Sequence, residues 1–171
     1  MFDKFGEFES SEEINEAAAG LLREGDRESI VILAKENGID KADAEDYIDG
    51  VIDTLTTPVT AAFGKLDVEK ADLGTVEIMN DWVQYIKVQC TKSEELTAAV
   101  RSKGHSLKGC LAALLKYAWK NQYNVPSDVV KAAGVSASRV TLGIPGTATA
   151  KKIIKAVSYT HLRAHETCAD L

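Results

Sequence analysis

Helix-start signals, followed by apolar residues three and four apart and then by a glycine or asparagine, recur along nearly the whole chain. Ser10-Ser11-Glu12-Glu13 offers a capping box, with Ser10 as cap, for a helix running to about Arg23. Gly25 ends that helix and Asp26 caps the next, which carries Ile30, Leu33 and Ala34 on one face and stops at Asn37-Gly38. Asp40 caps a third, with Ala44, Tyr47, Ile48, Val51, Ile52 and Leu55 at helical spacing. Thr57-Pro58 starts a short helix with proline at its first position, and Gly64 is the stop signal that closes it.

Residues 65–74 read as a loop containing one turn. Thr75 then caps a helix whose Val76, Met79, Val83, Ile86 and Cys90 form a buried stripe. Ser93 opens another helix, ended by Lys103-Gly104, and Ser106 caps the most apolar one, from Leu107 to about Asn121. Its inward face is Leu107, Cys110, Leu111, Leu114 and Ala118, with Met79, Val83 and Ile86 as expected companions. Pro126-Ser127-Asp128 starts a short helix that stops at Gly134. Residues 141–146 are a break or a short extended piece, and a lysine-rich helix covers 148–157. No alternating strand pattern of useful length and no internal repeat occurs. With only three prolines and 45% apolar residues, the reading is an all-α, compact multi-helix bundle. The expected regions are 1–64, 65–157 and a separate tail, 158–171.

Charge divides the chain differently. The first hundred residues hold 23 acids against nine bases, a net −14, whereas residues 101–157 hold ten bases against Asp128 alone, a net +9. An acidic N-terminal part and a basic helical C-terminal part mark an interaction protein, with a basic face for nucleic acid or an acidic partner. On the basic side Lys108, Lys116 and Lys120 occupy neighbouring arcs of one helix, interleaved with Tyr117 and Trp119 and followed by Tyr123. Lys151, Lys152 and Lys155 add to them from the last helix. Lysines beside aromatics suit phosphate contact with base stacking; the other reading puts Trp119 in the core and the lysines in water. On the acidic side Glu45, Asp49 and Asp53 follow at a spacing of four. Like charges so placed destabilise a helix by roughly 0.2–0.5 kcal/mol per pair. The face either imitates a phosphate backbone for a basic partner or is simply solvated.

Residues 128–140 resemble the turn of bacterial helix-turn-helix repressors, with Gly134 at the sharp turn, Val135 packing inward, Ser136 capping the next helix and Arg139 as the one charged residue on it. Gly143 and Pro145 would end that helix after about two turns, so a short helical corner is the competing reading.

No catalytic, cofactor or metal constellation is visible. His105, near Ser106 and Cys110, has no second acid or base beside it in sequence. The acidic run at 40–46 lacks the alternate spacing and central glycine of a calcium loop, and the glycines near Gly143 lack the Lys-Ser/Thr of a phosphate loop. The apolar runs fall short of the roughly 20 residues that span a bilayer. The N-terminus lacks signal-peptide character, and Cys90, Cys110 and Cys168 have no paired spacing. A non-enzymatic, cytoplasmic protein with reduced thiols and no membrane partner is the expectation; the oligomeric state stays open.

The segment 99–110, with Ser106, Leu107 and Cys110, then Lys116 and Lys120, then Asp128, resembles PcfK-like proteins of conjugative plasmids and transposons. Their pattern is a Lys-Ser-Ile/Leu helix entry with a cysteine shortly after, a lysine-rich helix end and an acidic cap. His105 stands where that family has lysine, the acidic first ninety residues fall outside the match, and residues 135–146 depart from it. The resemblance implies an accessory protein of a mobile genetic element, with an anti-CRISPR inhibitor of a type II RNA-guided nuclease as the specific expectation. A small DNA-binding or conjugation-accessory protein acting through the basic half is the alternative. The last stretch, from Ser158-Tyr159-Thr160-His161 through Thr167, resembles translated sequencing-adaptor sequence; the other reading is a native amphipathic tail.

Overall fold

A computed structural model describes residues 3–159, and the tail expectation lies almost wholly outside them. Nine helices and one two-stranded ladder occur among the described residues, and the fold is all-α. They divide into two units, one formed by residues 3–108 together with 158–159 and the other by Gly109–Val157.

The first unit is assembled from locally specified helices. In α1 (Ser11–Glu24) the Ser10 hydroxyl accepts from the Glu13 N–H, and Gly25 closes the helix in the left-handed conformation. The Asp26 carboxylate accepts from Ser29 N–H and starts α2 (Arg27–Glu36). A short α3 (Lys41–Ile48) follows. Ile14, Ala18, Ile30, Leu33, Ala34, Ala44 and Tyr47 from these helices form one buried cluster. Each large aliphatic chain in it contributes about 1.5–3 kcal/mol by leaving water.

α3 is shorter than its apolar spacing predicts. It ends at Ile48, because Gly50 turns left-handed (φ 73°) and the Val51 N–H folds back to the Asp46 carbonyl. Val51 is exposed, while Ile52 and Leu55 still reach the core cluster from an irregular segment.

α4 (Pro58–Leu73) departs furthest from expectation. Pro58 stands at its first position, as the sequence signals predict, and Thr57 and Thr60 cap it reciprocally. It then runs straight through Gly64 to Gly74. The boundary expected after Gly64, and the loop expected at 65–74, both fall inside this helix. The reason lies in a neighbour rather than in local propensity. A Cβ on Gly64 would stand 2.0 Å from the Asn37 carbonyl oxygen, and one on Gly38 would stand 2.4 Å from the Gly64 carbonyl oxygen. Gly64 is therefore a crossing point, where the α4 backbone rests on the turn that ends α2.

α4 packs against α1, α5 (Ile78–Cys90) and α6 (Glu94–Arg101). Val83, Ile86 and Cys90 are buried as the stripe predicts, and Met79 is half-buried. α5 begins later than expected. Thr75 does not cap it; the Thr75 hydroxyl donates to Asn80 Oδ1, and Glu77 holds the cap position at φ 48°, leaving Val76 exposed. Ser93 caps α6 as expected, accepting from the Leu96 N–H.

In the second unit α7 (Leu107–Lys120), whose first two residues belong to the first unit, buries Cys110 and Leu114 and half-buries Leu111 and Ala118. α8 (Ser127–Ala132) has no buried residue, and α9 (Thr147–Tyr159) buries Ala150 and Ile154. Strands β1 (Tyr123–Asn124) and β2 (Thr141–Leu142) pair antiparallel, with Tyr123 opposite Leu142 and Asn124 opposite Thr141.

Candidate basic and aromatic interface

The buried side of α7 is set by Leu107, Cys110 and Leu114 at spacings of three and four. At about 100° per residue, the opposite side carries Ala112, Lys116 and Trp119, flanked by Lys108, Leu115 and Lys120. All six are exposed, Trp119 to 77% and Leu115 to 67%. The reading that puts Trp119 in the core is therefore set aside. Tyr117 is half-buried, and Tyr123 is exposed just beyond the helix end. Lys116, Trp119 and Lys120 share one helical turn, whereas Lys108 lies about 12 Å further back along the axis.

On α9 the same logic applies. Ala150 and Ile154 face inward, and Lys151, Lys152 and Lys155 occupy the exposed arc opposite them. Arg139 is exposed too, but it is not on a helix; its Nε donates to Asn124 Oδ1 at 2.8 Å, so the β1–β2 ladder holds it. The recognition helix expected after Gly134 does not form. Gly134 does turn left-handed (φ 67°), yet residues 135–140 are non-helical and Val135 is exposed rather than packed. Those residues lead into the ladder, where the Val125 N–H donates to the Val140 carbonyl. Pairing with residues 123–125 draws the segment extended and leaves no second helix to enter a groove.

The acidic triplet is also dispersed. Glu45 lies on α3, Asp49 caps its C-terminus and Asp53 sits in the irregular segment beyond, so they form no continuous helical face. Glu45 pairs with Lys41 at 2.7 Å and Asp49 with Arg27 at 3.4 Å, all four side chains exposed. Exposed pairs of this kind are worth about 0–1 kcal/mol and do not lock the carboxylates away.

Sequence reasoning missed a buried ionic network in the first unit. Lys65 is 1% exposed and contacts Glu7 at 2.6 Å and Glu69 at 3.9 Å, and it donates to the Ser102 carbonyl at 3.0 Å. Arg101, 2% exposed, donates through Nη2 to Asn37 Oδ1 at 2.6 Å. The Glu69 carboxylate accepts from the Leu107 N–H. Lys65 and Glu69, one turn apart on α4, thus set a cation on the C-terminal carbonyls of α6 and an anion on the first N–H of α7, each matched to the helix dipole it meets. The signal existed, since Ala61, Ala62, Lys65, Leu66 and Glu69 keep helical spacing, but a stop at Gly64 hides it.

Burial pushes the Glu69 carboxyl above its ordinary 4.5, against the Leu107 N–H and Lys65, which favour its charged form. A carboxyl raised on folding gives most stability below its unfolded value, and that contribution falls as pH rises from about 4.5 towards the folded value. Glu69→Gln is therefore expected to flatten the decline of Tm above that pH. Parallel Tm–pH curves for the two proteins would show that Glu69 does not titrate differently on folding.

Two of the concavities among the described residues of the first unit are bordered by polar side chains. One, of about 660 Å³, is bordered by the caps Ser10, Thr57 and Ser93; their hydroxyls already serve their own helices, and Glu9, Glu12 and Glu94 line it against Lys92 and Arg101. The other, of about 310 Å³, is bordered by Glu7, Glu69, Asp72, His105 and Ser106. There Glu69 is engaged by Leu107, and His105 Nδ1 lies 2.8 Å from the Ser102 hydroxyl, so both groups brace the α6–α7 turn. Burial raises the Cys90 and Cys110 thiols to about 11, as befits thiols that pack as small hydrophobes. Among the described residues no cluster of three or more His, Cys, Asp or Glu is placed to hold a metal, and no helix is long and apolar enough to cross a membrane.

Comparison with family models, curated proteins and solved structures finds no match to this chain.

Proposed function

We propose that this chain is a non-enzymatic binding protein whose second unit contacts nucleic acid through its lysines and Arg139. One observation carries the reading. Gly109–Val157 holds seven basic side chains, every one exposed, and a single acid, Asp128, for a net +6. Such a density of exposed positive charge attracts polyphosphates by releasing condensed counterions. Affinity for DNA or RNA should therefore fall steeply with salt. Replacing Lys116 and Lys120 together by Gln should flatten the slope of log K against log salt by about two and weaken binding alike across sequences. Fluorescence anisotropy with labelled oligonucleotides checks both. Absence of binding by the parent chain at low salt would dispose of the reading.

A second reading rests on the other unit. Residues up to Lys108 carry 23 acids against 12 bases, a net −11, with Asp43, Glu45, Asp46, Asp49 and Asp53 exposed. With the resemblance to PcfK-like proteins, this supports an anti-CRISPR role in a mobile genetic element: the acidic unit would occupy the basic nucleic-acid channel of a type II RNA-guided nuclease. A cleavage reaction with and without the full chain tests it. Unchanged cleavage in the presence of a stoichiometric excess would remove it.

A further inference from the structure

We propose that the C-terminal end of α7 is a stacking platform for single-stranded nucleic acid, with Trp119 as the base-contacting side chain. This deepens the nucleic-acid reading above and rests on it. Trp119 lies outside the core of its unit; it is 77% exposed, on the side of α7 turned away from Cys110 and Leu114. Tryptophan carries a large apolar surface whose removal from water is a main gain of burial, so a folded chain forfeits much by holding it outward. Leu115, one turn earlier, and Tyr123, just after the helix, are exposed beside it in sequence, at 67% and 57%.

The chemistry around these side chains selects the partner. Lys116 precedes Trp119 by three residues and Lys120 follows it directly, both exposed, and no acid lies on α7. An acidic backbone bound by the two lysines brings its bases within reach of the indole. A duplex keeps its base faces stacked on one another, so it offers an exposed ring only groove edges and phosphates. A single strand offers the faces themselves, and aromatic platforms between cations are how such strands are held without sequence preference. The missing recognition helix agrees: residues 135–140 are non-helical and present no helix to a major groove.

The test uses the full chain and a labelled mixed-sequence 15-nucleotide DNA, alone and annealed to its complement, at equal low salt. The single strand should bind about 10-fold tighter than the duplex. Trp119→Ala should cost the single strand about 10-fold while leaving the duplex affinity and both salt slopes unchanged, and Trp119→Phe should retain part of the difference. An unchanged Tm shows that the variant is folded, as expected for an exposed position. Equal affinity for the two forms, or an equal loss on both with Trp119→Ala, overturns the stacking platform while the basic-unit reading stands. If neither form binds, both ideas fall; binding of polyglutamate in that case would give the face to an acidic protein partner.

Discussion

Gly64→Ala should destabilise the first unit by about 3 kcal/mol or more, a drop in Tm of roughly 6–12 °C for a chain of this size. The added methyl would lie 2.0 Å from the Asn37 carbonyl oxygen and 3.1 Å from the Asn37 carbonyl carbon. Both neighbours are backbone, so relief requires α4 to lift off the end of α2, and Ala61, Ala62 and Leu66 would lose part of their packing. Gly20 in α1 supplies the control. It too is a glycine within a helix, but a Cβ there meets nothing within 4 Å. Gly20→Ala should therefore stabilise by about 0.5–1 kcal/mol, the ordinary helix-propensity gain. Thermal or urea melts of the two variants should move in opposite directions. A neutral Gly64→Ala would mean that the helices do not cross there.

Lys65→Met should have an effect of similar size, about 3–5 kcal/mol, the usual cost of removing one partner from a buried ion pair. Methionine fits the volume, so the loss is electrostatic. The buried Glu69 would lose its nearest cation, and the Arg101 and Ser102 carbonyls would lose their donor. Glu7, itself 30% exposed, could turn to water, so Glu69 is the group left in difficulty. Combining Lys65→Met with Glu69→Gln removes that orphaned charge and keeps an acceptor for the Leu107 N–H. The double variant should be less destabilised than the sum of the singles. Strict additivity in urea melts would show that the two side chains are not coupled.

Both variants fall where the sequence is hardest to read. Local chemistry identifies four caps, Ser10, Asp26, Thr57-Pro58 and Ser93, each of which binds backbone N–H groups or opens a helix with its own atoms; it fails at Thr75, and Asp40 holds its cap position without a side-chain hydrogen bond. Gly64 defeats the same method, because a glycine that ends a helix and one that admits another backbone look alike until the neighbour is known. Asn37 is that neighbour, 27 residues earlier. Once Gly64 is taken as a stop, Lys65 and Glu69 are read as loop residues and the network with Arg101 disappears. The recognition helix suggested after Gly134 fails for a related reason: the turn residues suit a helix start, but pairing with residues 123–125 claims the backbone first. The lysines and Trp119 were legible as residue types on one helix. Whether the indole faces in or out depends on which arc of α7 meets the core, and spacing alone left both readings open.

The crossing of α2 and α4 also says how relatives of this chain can be recognised. Charge patterns drift freely on solvated faces, and short apolar spacings are shared by countless helices. A backbone-to-backbone contact is far less forgiving, since it excludes every side chain at two positions at once. Chains that share this fold should keep glycine at the places of Gly38 and Gly64, an amide at Asn37 facing a guanidinium at Arg101, and a lysine directly after the second glycine. That sparse pattern, spread over residues 37–101, would mark kinship even where overall similarity has faded.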